Sequence, residues 1–102
     1  MAQMLYPDWR TQVVFAPDGP KPQVLMENAK FKVVLGGLEA GQKIPPHPEG
    51  ESVFHFLEGT GWMSVDGERF AVKPGTTVVT PAGAQRGIEA ETRLAFLAAR
   101  VM

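Results

Sequence analysis

The sequence predicts an all-β single domain, a sandwich or barrel of nine or ten short strands, and three observations predict it. Eleven glycines and nine prolines are spread along the chain, as they are when many short strands are separated by tight turns. Asp66-Gly67 stands between two extended segments, residues 62–65 and 68–72, which is a strong short-range hairpin signal. Residues 76–79 form a β-branched run whose restricted χ1 suits a strand, closed on each side by Pro74-Gly75 and by Pro81-Ala-Gly83.

Taken in order, residues 1–10, with Tyr6, Pro7 and Trp9, read as an arm that lies against something else. Residues 11–15 read as a strand, ended by the turn residues Pro17, Gly19 and Pro20. Residues 22–26 and 30–38 read as a hairpin about Asn28, which tolerates a left-handed φ. Gly36-Gly37 in its second arm marks a bulge or a close backbone approach. With three prolines and two glycines, residues 39–50 read as an irregular loop that positions His47. Residues 52–57 and 86–90 follow as strands. Residues 94–101 are alanine-rich but lack an N-cap and stand among strands, so they too read as a strand.

The segment 52–57 places Ser52, Phe54 and Phe56 on one face and Val53, His55 and Leu57 on the other, so both faces are mostly apolar. Something must cover the outer one, and a second copy of the chain in a two-fold homodimer is the simplest cover.

Composition removes several functions. Ten Lys and Arg against eleven Asp and Glu leave no basic surplus for nucleic acid or anionic lipid. Cysteine is absent, which excludes disulfides, thiolate metal sites and a Cys nucleophile. The first residues lack a basic start and an apolar run, and no window approaches the 18 apolar residues of a membrane span, so the expected compartment is the cytoplasm.

Two spaced motifs carry the functional reading. One runs from Gly41 through five residues to His47 and then Glu49, and closes at Gly59; the other runs from Gly75 through Pro81 and Gly83 to Arg86. Over about residues 31–98 their spacing resembles the two signature motifs of the cupin superfamily. That resemblance implies a jelly-roll β-barrel (a double-stranded β-helix) over the whole chain 1–102, with the site inside the barrel. It also implies a metal cage of three His and one Glu, which this sequence breaks. Arg86 stands where the second motif has its His. In the first motif Glu49 takes the second His position and Ser52 the glutamate's; in the alternative alignment His47 is the second His, Pro45 the first, and Glu51 the carboxylate.

Three chemistries follow. As metal ligands the chain offers His47 with Glu49 or Glu51; guanidinium has no lone pair to give, and His55 lies about 13 Å along a strand from Glu51. No cofactor is therefore expected. A divalent transition metal on His47 and Glu51 is the alternative, and it would make the chain a metal-dependent enzyme of dioxygenase or isomerase type. Second, Arg86 replaces the metal's charge and holds a small organic anion, with Phe54, Phe56 and Trp62 or Phe70 as walls, in a non-catalytic binding or sensing barrel. In the same place Arg86 could pair with Glu49, Glu51 or Glu89. Third, His47 as base and Tyr6 as acid would resemble the metal-free epimerases among cupin relatives.

Overall fold

A computed structural model of the chain describes residues 3–102; the first two residues of the expected N-terminal arm lie outside the described residues. The strands are β1 Val14–Ala16, β2 Gly19–Lys21, β3 Gln23–Glu27, β4 Phe31–Leu38, β5 Lys43–Pro48, β6 Ser52–Glu58, β7 Gly61–Val65, β8 Glu68–Val72, β9 Thr77–Thr80, β10 Gln85–Ala90 and β11 Leu94–Val101. All pairings are antiparallel. A five-stranded sheet in the order β3-β4-β11-β6-β9 faces a four-stranded sheet in the order β5-β10-β7-β8, and β1 and β2 form a separate ribbon. This is the jelly-roll arrangement.

The core lies between the two sheets and is built from alternate residues. Phe54 and Phe56 of β6, Leu94, Phe96 and Ala98 of β11, Met63 of β7 and Ile88 of β10 are buried there. Phe96 is its centre, with ring centroids 5.6 Å from Phe54 and 5.9 Å from Phe56. Each fully buried aromatic removes enough apolar surface to contribute about 2–3 kcal/mol.

The turn at Asp66-Gly67 has φ of 51° and 84°, the two positive values of a tight hairpin turn whose twist matches its strands. The same turn ties down the next element. Asp66 Oδ1 accepts from the Gln85 amide at 2.8 Å, and the Asp66 amide donates to the Gln85 carbonyl at 2.7 Å, so the start of β10 is clamped one residue before Arg86.

Three expectations need correction or sharpening. Residues 9–11 form a single 3-10 turn, capped by the Asp8 side chain, and the strand expected at 11–15 begins only at Val14. Residues 43–48, expected as loop, form edge strand β5; its prolines are tolerated because an edge strand has one row of backbone groups that need no ladder partner. The register slips between Arg86 and Ile88, where β5 carries one residue more than β10. Gly36 and Gly37 mark close approach and no bulge, for β4 pairs with β11 without interruption over eight residues. A Cβ on Gly36 would overlap the Phe96 ring, and one on Gly37 would overlap the Val14 carbonyl oxygen.

The expected strand at 94–101 is present and lies at the centre of its sheet between β4 and β6, so pairing on both sides overrides its alanine content. Among the described residues no helix is long and apolar enough to cross a membrane.

Candidate functional site

The site sits between the sheets where β4, β5, β10 and β11 converge. It is a cavity of about 190 Å³, with Arg86, His47, Lys32 and Arg100 among its polar lining and Ile44, Phe54, Ile88 and Phe96 among its apolar lining. Arg86 enters it because β10 alternates and because Gly87, its neighbour, lets the backbone of β5 approach. A Cβ on Gly87 would stand 2.8 Å from the Ile44 carbonyl oxygen.

Arg86 is only 4% exposed. Its Nη1 donates to the Gly50 carbonyl at 3.1 Å, and the Ser52 hydroxyl donates to the same oxygen at 2.8 Å. Its guanidinium carbon lies 5.1 Å from the centroid of the Phe54 ring. Among the described residues no carboxylate comes within ion-pair distance of it; the pairing expected with Glu49, Glu51 or Glu89 is not made. Burial pushes the Arg86 guanidinium below its ordinary pKa; Glu49 raises it again, and Arg100 lowers it. An arginine so placed still carries its charge, since the delocalised guanidinium holds its proton even where burial disfavours it.

Glu49 is engaged elsewhere. Its Oε1 accepts from Arg100 Nη1 and lies 3.7 Å from His47 Nε2. His47 stands at the partly open rim, paired across the strands with Arg86, and its Nδ1 lies 2.9 Å from the Pro45 carbonyl. A carbonyl only accepts, so Nδ1 carries the proton in this contact.

The other expected site residues are dispersed. Glu51 is exposed and borders the outer surface beside Val53 and Val79, away from the cavity. Phe56 is in the core under Phe96 and does not line the cavity. Trp62 projects from the outer face of the four-stranded sheet, with the Arg69 guanidinium 4.0 Å above its ring. Phe70 borders a different depression with Val65 and Thr77. Glu89 pairs with Arg69 and Lys43 on the outside. His55 faces out, its Nδ1 2.7 Å from the Thr77 hydroxyl. Tyr6 lies against the outer side of the five-stranded sheet, 3.3 Å from the Leu25 carbonyl, so it cannot act with His47.

Sequence reasoning missed Arg100 and Lys32. The available signal was parity: Phe96, Ala98 and Arg100 share one face of β11, and Lys32 and Val34 share one face of β4.

The family's metal cage does not fit these residues. Its positions hold His47, Glu49, Ser52 and Arg86, of which Arg86 has no lone pair and Glu49 is bound to Arg100. Among the described residues no three His, Asp or Glu side chains converge in a group that could hold a metal ion. Glu51, the alternative ligand, is outside the barrel.

The family model described as "Cupin domain" matches residues 34–99. The chain belongs to the cupin family. Solved structures superpose on it almost end to end. An RmlC-like cupin from Desulfovibrio desulfuricans is 27% identical with a TM-score of 0.86, covering 97% of each chain. A conserved protein of unknown function from Streptococcus pyogenes is 25% identical with a TM-score of 0.85, covering 99% of this cupin and 88% of its own chain. A protein from Thermus thermophilus is 22% identical with a TM-score of 0.87, covering 96% of this cupin and 97% of its own chain. No curated protein sequence matches this cupin.

Proposed function

We propose that this cupin is a metal-free binding barrel for a small organic anion, held at Arg86. One observation carries the reading. A cation that is 4% exposed, bonded to a carbonyl and lacking a carboxylate partner among the described residues, lines an interior cavity. Burying a charge without a counter-charge costs several kcal/mol, and an anion entering the cavity would offset that cost. A guanidinium receives a carboxylate through two parallel N–H donors. Phe54 behind it excludes water and strengthens the contact.

The test is a thermal-shift screen of the purified chain with small carboxylates and inorganic phosphate, repeated on Arg86→Met. A stabilising anion whose effect disappears in the variant supports the reading; an anion effect of equal size in both proteins would sink it.

We further propose that the molecule works as a homodimer through the outer face of the five-stranded sheet. Val79 is 71%, Val53 44% and Leu97 37% exposed there. Cross-strand pairing sets Ala99, Val53 and Val79 in one apolar row, and in the next row Leu97 borders the hydrogen-bonded pair His55 and Thr77.

A further inference from the structure

We infer that the ligand is an apolar monocarboxylate of roughly nine or ten non-hydrogen atoms, an inference that rests on the Arg86 reading above and adds the chemistry of the rest of the cavity. Three observations define this class: how charge and apolar surface are layered, how many cations are free, and how much space there is.

The layering follows from register. Arg100 pairs with Lys32 in one sheet and Arg86 with His47 in the other, and Glu49, bonded to Arg100 and 3.7 Å from His47, ties the two pairs into one level. Two residues further along each strand the lining becomes apolar: Ile88 after Arg86, Ala98 before Arg100, Val34 after Lys32. Two strand residues span about 6.6 Å, so a ligand must change from charged to apolar within that length. A sugar acid or a hydroxylated chain would bury hydroxyls against this second level with no partners.

The charge count limits the head. Arg100 is already bound to Glu49, and Lys32 lies 3.9 Å from Glu27. Among the described residues lining the cavity, Arg86 is the arginine or lysine without a carboxylate at ion-pair distance. A second anionic group on the ligand would find Arg100 and Lys32 already facing Glu49 and Glu27. One negative charge is therefore matched and two are not.

Size sets the tail. An apolar cavity of about 150 Å³ accommodates benzene, so 190 Å³ admits a six-membered ring or its aliphatic equivalent together with one carboxylate. Phe54 and Phe96, tilted by 44° to each other, supply aromatic surface for it.

Isothermal titration calorimetry on the full chain with four probes tests this: benzoate, its neutral isostere benzamide, its dianionic relative phthalate, and acetate, which has the head without the tail. Benzoate is expected to bind at least tenfold more tightly than each of the others. Ala98→Leu, which fills the apolar level and leaves Arg86 in place, is expected to abolish benzoate binding. Phthalate or acetate binding as tightly as benzoate, with loss in Arg86→Met, would overturn the ligand class while the anion reading stands. Benzamide binding as tightly as benzoate, or no anion binding at all, would overturn both. Undiminished benzoate binding in a folded Ala98→Leu protein would also reject the assigned tail position and with it the inference.

Discussion

At Arg86 the stability of the fold and the proposed binding of an anion pull in opposite directions. In the ligand-free chain Arg86 carries a buried charge satisfied by one carbonyl and the face of Phe54. Arg86→Met keeps a similar length of side chain and removes the charge, and the Gly50 carbonyl retains its bond from Ser52. The variant is therefore expected to be more stable than the parent by about 1–3 kcal/mol in urea denaturation without ligand, and to lose its response to anions. Destabilisation by that substitution would mean that Arg86 serves the fold. Gly59 presents the opposite case. Its φ is +86° and a Cβ there would overlap the Arg93 carbonyl oxygen, so the backbone tolerates no side chain. Gly59→Ala should cost about 2 kcal/mol or more in the same measurement. Its position closing the first motif is implied by the resemblance to the cupin signature, but the Arg93 contact that makes it necessary belongs to a loop far along the chain.

Among the elements, β11 and β5 behaved differently from what their compositions suggested, for opposite reasons. Alanine favours helix, yet β11 is paired along both edges, and its small side chains leave room for Phe96 to fill the centre. Phe96→Ala should destabilise by about 3–5 kcal/mol, measured by equilibrium unfolding, because it removes the ring that meets Phe54, Phe56 and the bare Gly36. Proline argues against a strand, yet β5 lies at an edge where a missing N–H is tolerated. Strand propensities describe the residue alone; the neighbour that supplies or withholds a hydrogen-bond ladder is chosen by the fold. The outward position of Trp62 on β7 has the same origin, since a side chain's face is fixed by strand register and a one-residue difference in parity moves it from interior to exterior, whereas Glu51 and Tyr6 lie outside the strands.

For the whole molecule, the two faces of the five-stranded sheet are set apart: the inner one borders the cavity, and the outer one is the proposed contact between copies. Val53→Asp together with Val79→Asp places charges in the middle of the apolar row without touching the cavity lining. Sedimentation equilibrium is expected to find a dimer for the parent and a monomer for the double variant, with anion affinity unchanged. A parent chain that sediments as a monomer at micromolar concentration would reject the dimer.

The sequence by itself determined an all-β sandwich or barrel and the hairpin at Asp66-Gly67, because each is written in local conformational preference, while its resemblance to the cupin motifs implied the jelly roll and the loss of the second-motif metal ligand at Arg86. Only the tertiary structure decided which residues meet. That Glu49 goes to Arg100 and leaves Arg86 unpaired, that Lys32 and Arg100 join the same level, and that Glu51 and Trp62 face outward all depend on pairings between strands distant in sequence. Local preference cannot encode such pairings, because register is set by the packing of the whole barrel.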